Sequence, residues 1–236
     1  MSALVVLLAH GSPDPRSSQG ACDVAHRLGT LLPGTIVRVA YLNHDWPTLT
    51  AAIGREYDSG QITTITVLPL LLSKASHALR DVPEAVARAE RDHRIKIVVG
   101  ETIGMQLDLA LALDSQVPTG IPLVLAWAGG RTAIAQEETQ SLVDLWHQAT
   151  GREIVAAGAS ESGEHLLAAA HELQDRTNQM PVIVTFTLFP GVLADQVQSA
   201  ADSIGTRATT PLFQETALIQ ILADRLSILQ TADQSV

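Results

Sequence analysis

Two histidines stand just after apolar segments whose composition predicts buried strands. His10 follows the run 3–9, and His77 lies in the loop after the run 62–72. In open parallel sheets, ligands bind beyond the carboxyl ends of the strands, so two histidines at such ends are candidates for one site. Imidazole binds first-row divalent metals and accepts protons near neutral pH. The pair therefore predicts one active site at the carboxyl ends of these strands.

Cationic and hydroxyl side chains stand near both histidines. Ser12 and Arg16 follow the first one, and Lys74 and Arg80 flank the second. Guanidinium and ammonium groups bind carboxylates and other anions, so these residues are candidates for binding a substrate. Each also has a simpler role, because Arg and Lys are ordinarily solvated at surfaces and Ser12 can cap the following helix.

Other reactive side chains have structural interpretations. Asp81 can orient the second histidine as a hydrogen-bond acceptor, but capping the helix that Pro83 begins is the simpler role. Cys22 falls on the apolar positions of a helical pattern, which predicts a buried thiol. Three histidines in helical patterns are expected to be solvated: His26, His147 and His171.

The elements that must position these residues alternate along the first half of the chain. Apolar runs predict strands at 3–9, 35–42, 62–72 and 95–100. Helical spacing of apolar residues predicts helices at 17–31, 46–57, 82–92 and 107–113. Alternating strands and helices with short connections indicate a parallel sheet that is covered by helices on both faces.

The same order begins again after residues 118–120, with strands predicted at 121–126 and 181–189. We therefore predict an α/β protein of two similar lobes, each a parallel sheet flanked by helices, with a cleft between them. The N-terminal lobe spans 1–117 and carries the two histidines, and the C-terminal lobe spans 118–236. Aligning the repeats puts Ala128 at the position of His10 and Ala194 at that of His77, so the second lobe is a degenerate repeat without strand-end histidines.

Composition narrows the class of protein. A net charge of −10 argues against binding to nucleic acid or to an anionic membrane. No apolar run is long enough to cross a bilayer, and we expect no secretory signal. The single cysteine excludes an internal disulfide and suits a reducing compartment. We expect a cytoplasmic monomer without a permanently bound cofactor.

The residues around both histidines resemble those of a known family. The segment 7–12, which ends in His10-Gly11-Ser12 and is followed by Asp14-Pro15-Arg16, resembles the opening of the sirohydrochlorin chelatases, a branch of the class II tetrapyrrole chelatases. The segment 67–72, followed by His77 and Asp81-Val82-Pro83, resembles the second motif of that family. The resemblance covers residues 3–113, and beyond them it is confined to the architecture of the two-lobed, single-chain members.

Two positions depart from the family pattern. Where the family has Glu after an aromatic residue and Leu, this chain has Asn43 after Tyr41-Leu42, with His44 and Asp45 next to it. The small residue two positions before the second histidine, commonly Gly, is Ala75. We include Asn43 and His44 among the candidate substrate-binding residues.

The resemblance implies a lyase-type metal chelatase that inserts Fe²⁺ or Co²⁺ into sirohydrochlorin, in siroheme or cobalamin biosynthesis. Sirohydrochlorin and the metal ion are then both substrates. Two pyrrole N–H protons must leave while the ion loses water and enters a plane of four nitrogens. His10 and His77 are expected to share metal delivery and proton abstraction, and the division of the two roles stays open.

Other classes fit the residues less well. The α/β hydrolases need a Gly-x-Ser-x-Gly elbow, and the nearest segment, 158–162, lacks the last glycine. A histidine phosphatase would need Arg at the position of Ala9, and a dinucleotide enzyme would need more glycines than Gly11 after the first strand. The alternative that remains is a non-catalytic carrier of a tetrapyrrole or a metal on the chelatase fold.

Overall fold

The computed structural model describes residues 2–57, 60, 62–73, 80–129, 132–159 and 163–233. The chain forms two compact units, each built around its own parallel sheet. The first unit combines Met1–Gly104 with Leu218–Val236, and the second is Met105–Ala217. The predicted α/β class with two similar sheets flanked by helices is confirmed.

The first unit contains a four-stranded sheet in the order β2-β1-β3-β4. Its described elements are β1 (Ser2–Ala9), α1 (Pro15–Leu31), β2 (Thr35–Tyr41), α2 (Leu49–Tyr57), β3 (Ile62–Leu70), α3 (Val82–His93) and β4 (Val98–Val99). Strand β1 is central, and its last six residues are buried because helices cover both of its faces. On one face, Leu4, Val6 and Leu8 pack in a cluster with helices α2 and α3.

The second unit repeats this order on a smaller scale, with strands arranged β6-β5-β7. Its described elements are α4 (Leu107–Asp114), β5 (Leu123–Trp127), α5 (Ala133–Thr150), β6 (Ile154–Gly158), α6 (Glu164–Thr177), β7 (Val182–Thr185), α7 (Val192–Ser203) and a 3₁₀ turn at Leu212–Gln214. A single parallel bridge between Ile183 and Ala208 stands where the first sheet has β4. The central strand β5 is thus the counterpart of β1.

Two helices belong to other units than a boundary after residue 117 would give. Helix α4 belongs to the second unit, where it packs on α5 and β7. Helix α8 (Thr216–Asp233) follows the second unit in sequence, yet from Leu218 onward it belongs to the first. The Arg225 guanidinium on α8 explains this assignment, because it donates hydrogen bonds to the carbonyl oxygens of Glu101, Thr102 and Ile103.

Several elements are shorter than their sequence patterns suggest. Of the strand predicted at 95–100, only Val98 and Val99 pair with β3, because this is an exposed edge of the sheet. The strand predicted at 181–189 ends at Thr185, after which the backbone N–H groups of Leu212 and Phe213 bond to the carbonyls of residues 187 and 188. None of the described helices is both long and apolar enough to cross a membrane.

Candidate functional site

His10 lies at the carboxyl end of the central strand of the first sheet. Strand β1 pairs in parallel with β2 on one side and β3 on the other, and its last paired residue, Ala9, faces Tyr41 and Leu70. The backbone carries the pairing one step further, since the Asn43 N–H donates to the His10 carbonyl at 2.9 Å. The sheet therefore holds His10 at the edge where parallel α/β folds bind ligands.

One hydrogen bond orients the His10 ring. Its Nδ1 lies 3.0 Å from the carbonyl oxygen of Gly11, an acceptor that requires a proton on Nδ1. In that tautomer the lone pair is on Nε2, which is the atom that binds a metal or accepts a proton. The residue itself is half-buried, so the ring stands at the surface of the strand-end loop.

Gly11 makes the close approach between two loops possible. Its φ of +88° lies in the left-handed region, and a Cβ at this position would overlap the carbonyl oxygen of Asn43. Only glycine fits both restrictions without movement of the backbone. The loop after β2 is thereby packed directly against the His10-Gly11 turn.

That loop brings a second described imidazole to the site. His44 has a φ of +64°, and the N–H of Asp45 donates to the carbonyl of Asn43 at 2.7 Å across it. The His44 and His10 ring centroids are 6.1 Å apart, with 37° between the ring planes. Asn43 and His44 are both exposed, so both predicted substrate-binding residues lie at the edge that carries His10.

The residues that follow Gly11 form hydrogen bonds with one another. Asp14, not Ser12, caps helix α1 through a bond from the Arg16 N–H at 2.9 Å, while the Ser12 Oγ accepts from the Asp14 N–H at 3.1 Å. The Arg16 guanidinium also donates to the Asp14 carboxylate, and these bonds hold the pKa of Asp14 below its usual value. The expected cap at Ser12 is therefore wrong, and Arg16 is exposed and paired with Asp14.

The start of helix α3 borders the same edge of the sheet. Asp81 precedes this helix but makes no side-chain capping bond, so its predicted cap is also wrong. A pocket of about 530 Å³ opens beside it, lined by residues that include Asn43, Thr48, Asp81, Glu84 and Arg88. Arg80 is exposed at the start of this segment. His77 and Lys74 lie outside the described residues.

A buried tyrosine lies at the end of β2, next to the loop that carries Asn43 and His44. Tyr41, only 4% exposed, ends β2, and its hydroxyl donates to the Ser18 carbonyl at 3.4 Å. Burial, with the neighbouring Cys22 sulfur, raises the pKa of Tyr41 well above its usual value. Cys22 itself is exposed, which contradicts the predicted buried thiol, because its side of α1 faces a groove along the open edge of β2.

Two histidines that the site does not use are held by backbone carbonyls. His93 Nε2 lies 2.9 Å from the Thr50 oxygen, and His147 Nδ1 lies 2.6 Å from the Arg152 oxygen. His147 is exposed, as predicted, and its ring also joins the end of α5 to the next segment. His26 and His171 are exposed, as predicted.

The corresponding edge of the second sheet lacks this chemistry at its described positions. Strand β5 pairs with β6 and β7 as β1 pairs with its neighbours, and the Ala159 N–H donates to the Trp127 carbonyl as the chain extends beyond the strand. Ala128 follows, where the first sheet has His10. Within the ranges that the structure describes, no three His, Cys, Asp or Glu residues are grouped so that they could hold a metal ion.

Comparison with known proteins gives one consistent group. The CbiX family model matches residues 4–119. The sirohydrochlorin ferrochelatase of Bacillus subtilis (strain 168) is 23% identical over 206 residues, covering 84% of this chain and 78% of that protein. The sirohydrochlorin cobaltochelatase of Sulfurisphaera tokodaii is 28% identical over 113 residues, covering 48% of this chain and 89% of that protein.

Solved structures agree on the fold. The structure of SirB from Bacillus subtilis with Fe³⁺ superposes with a TM-score of 0.83 at 19% identity, covering 100% of this chain and 98% of that chain. The structure of CbiX described as the terminal enzyme for siroheme biosynthesis in denitrifying bacteria gives a TM-score of 0.66 at 18% identity, covering 96% and 98%. Together with the motif around His10 at the end of the central strand, the family-model match and the named relatives support placing the chain in the sirohydrochlorin chelatase family, whereas the solved structures show the fold.

Proposed function

We propose that this protein is a metal chelatase that inserts Fe²⁺ or Co²⁺ into sirohydrochlorin. The observation that carries the proposal is the strand-end imidazole of His10, oriented by the Gly11 carbonyl. The relatives named as sirohydrochlorin ferrochelatase and cobaltochelatase support the same reaction. The ion and the tetrapyrrole are the two substrates, and we propose no permanently bound cofactor.

The reaction exchanges two protons for one divalent ion. The ion leaves its water ligands, two pyrrole N–H bonds break, and four nitrogens close around the metal. In the orientation seen here, the His10 Nε2 lone pair can hold the ion or accept a pyrrole proton. We propose that His77 takes whichever of these two tasks His10 does not. A small number of imidazole ligands favours turnover, because the ion must be released to the macrocycle.

Substrate carboxylates need cationic or hydrogen-bonding partners near this edge. We propose Ser12, Arg16, Asn43, His44, Lys74 and Arg80 for this role. Arg16 already bonds to Asp14, so a substrate carboxylate would share or exchange that partner. Exposed Arg80 and the amide of Asn43 can bind a carboxylate directly.

The partners and the cellular compartment of the enzyme are part of the same proposal. A net charge of −10 disfavours nucleic acid and anionic membranes as partners. The single Cys22 thiol suits a reducing cytoplasm. We propose a cytoplasmic monomer whose only partners in the reaction are the tetrapyrrole and the metal ion.

Metal insertion by the purified protein tests the function directly. Sirohydrochlorin is mixed with Fe²⁺ or Co²⁺ under anaerobic conditions and a small proportion of protein, and the macrocycle absorbance is followed. Product in large excess over protein is expected for at least one ion. Product that never exceeds one equivalent of protein would identify the carrier alternative instead, and a rate equal to that without protein would contradict both.

A further inference from the structure

The pairing of His10 with His44 suggests a metal site that the family motif does not contain. The sequence pattern that this chain resembles has Glu at the position of Asn43, and the next residue of this chain places an imidazole beside His10. We infer that His44 is a metal ligand that binds the incoming divalent ion together with His10. This inference rests on the proposed function for the identity of the ion.

The distance between the rings fits a shared ion. Two imidazoles that ligate one metal through nitrogen at about 2.1 Å have ring centroids roughly 5 to 6 Å apart, depending on the angle at the metal. The observed centroid separation is 6.1 Å, and the 37° tilt shows that the rings are not stacked face to face. The observed separation therefore lies at the upper end of that range, which corresponds to a wide angle at the metal.

The backbone holds His44 in place for this role. A non-glycine residue at φ +64° is uncommon, and such conformations persist where the surrounding structure enforces them. Here the enforcing contacts are the Asp45-to-Asn43 hydrogen bond across the turn and the bond from Asn43 to the His10 carbonyl. The same turn that strains His44 therefore also fixes its distance from His10.

The chemistry of the pair suits an ion that has to be passed on. Neutral imidazole is a borderline ligand for Fe²⁺ and Co²⁺, and two such ligands leave most coordination positions to water or to an incoming nitrogen. A carboxylate ligand would add a negative charge, whereas His44 adds a donor without one. The first ligand pair of this chain is thus neutral, and the bound ion keeps its full double charge towards a polycarboxylate substrate.

Binding of Co²⁺ alone, without tetrapyrrole, tests the inference. The replacement His44→Asn is used because Asn tolerates a left-handed backbone, and its folding is checked by circular dichroism. Titration followed by visible absorbance is expected to show Co²⁺ binding at least about tenfold weaker than in the unaltered protein, and a changed ligand-field spectrum. The matched control His165→Asn, in an exposed residue of α6, should change neither.

A rescue variant separates ligation from other roles. Adding Asn43→Glu to His44→Asn restores a metal-binding side chain to this loop, and we expect it to recover Co²⁺ affinity. Unaltered Co²⁺ binding by His44→Asn would overturn the inference, and so would a variant that binds Co²⁺ normally but requires more tetrapyrrole. If the unaltered protein inserts no metal while its Co²⁺ binding still depends on His44, the metal site stands and the proposed function fails.

Discussion

The two sheets share a scaffold and differ at the ends of their central strands. Strands β1 and β5 are both flanked by two parallel neighbours, and both lead into a glycine with left-handed φ, Gly11 at +88° and Gly129 at +79°. The residue between strand and glycine is His10 in one unit and Ala128 in the other. The turn is therefore a property of the fold, whereas the imidazole is an addition that the fold does not need.

The largest expected effect is the loss of metal insertion when His10, on the first sheet, is replaced. Replacing His10 by Ala removes the imidazole that we propose as metal ligand or proton acceptor, so metal insertion should slow by roughly 10²- to 10⁴-fold. The unfolding transition should stay where it is, because strand-end loops tolerate truncation. Insertion rates followed by macrocycle absorbance measure this effect.

Two control variants complete that measurement. His165→Ala removes an exposed imidazole from the second unit and should leave the rate unchanged. Ala128→His places an imidazole at the equivalent strand end and should not rescue the His10→Ala protein. Metal insertion at the normal rate by His10→Ala would contradict the proposal that the first sheet carries the active site.

The second prediction concerns stability in the unit that lacks the histidines. Arg152 is 5% exposed, and its guanidinium bonds to the Asp114 carboxylate and to the carbonyls of Val117, Pro118 and Ile121. Arg152→Leu removes the charged partner of the Asp114 carboxylate, which keeps its hydrogen bond from the Trp146 indole N–H, and should lower the free energy of unfolding by about 3–5 kcal/mol. Urea denaturation followed by circular dichroism measures the change.

An exposed ion pair in the same unit provides the matched control. Arg176 and Glu153 are 3.2 Å apart, and both side chains are about half exposed. Arg176→Leu should change the free energy of unfolding by less than about 1 kcal/mol. Equal effects of the two replacements would show that the buried network contributes no more than a surface pair.

A third prediction uses glycines to separate backbone strain from loop contact. Gly11→Ala adds a Cβ where the Asn43 carbonyl already lies, while Gly151→Ala meets open space at a similarly left-handed φ of +68°. Gly151→Ala should cost only the backbone strain, about 1–2 kcal/mol in unfolding free energy. Gly11→Ala should cost more and should also slow insertion, because it pushes the His44 loop away from His10.

Thermal melts and insertion rates of both glycine variants test this difference. If Gly11→Ala retains full activity and has the same melting temperature as Gly151→Ala, the close approach of the two loops is unnecessary for function. A loss confined to activity would instead show that the loop moves without unfolding the sheet.

The smallest predicted effect is a loss of stability at alkaline pH. Both tyrosines lie in the first unit, and burial raises the pKa of Tyr41 above its usual value. An unfolded phenol ionises near pH 10, so above about pH 10 the unfolded state binds fewer protons than the folded one. The free energy of unfolding should therefore fall with rising pH in this range, and Tyr41→Phe should make that fall shallower. Denaturation series at several pH values test it, and an identical slope in both proteins would contradict it.

Strand-end positions were predictable because they follow from simple patterns. The uninterrupted apolar run before His10 marks a strand buried on both faces, and the turn residues after it mark where that strand ends. The repeat of this pattern at 121–126 predicted the second central strand, which the structure has at Leu123–Trp127, and the alanine that follows it, Ala128. These features depend only on local sequence and on the geometry of parallel sheets.

Contacts between distant segments could not be predicted in this way. The approach of His44 to His10 depends on the backbone of Gly11 meeting Asn43, and no local pattern encodes that contact. Cys22 occupies an apolar helical position but is exposed, since α1 covers an edge strand that leaves part of its surface open. The polar face of α3 beside Asn43 did have a signal, because Asp81, Glu84 and Arg88 recur at helical spacing.

The position of helix α8 has a consequence for the order of folding. Its Arg225 holds the loop after β4, and its Leu229 lies close to Gly100, yet the whole second unit separates these partners in sequence. During synthesis, the sheet that carries His10 must wait for the ribosome to finish the other unit before its last helix can dock. The first unit therefore completes its fold only after the second unit has been synthesised.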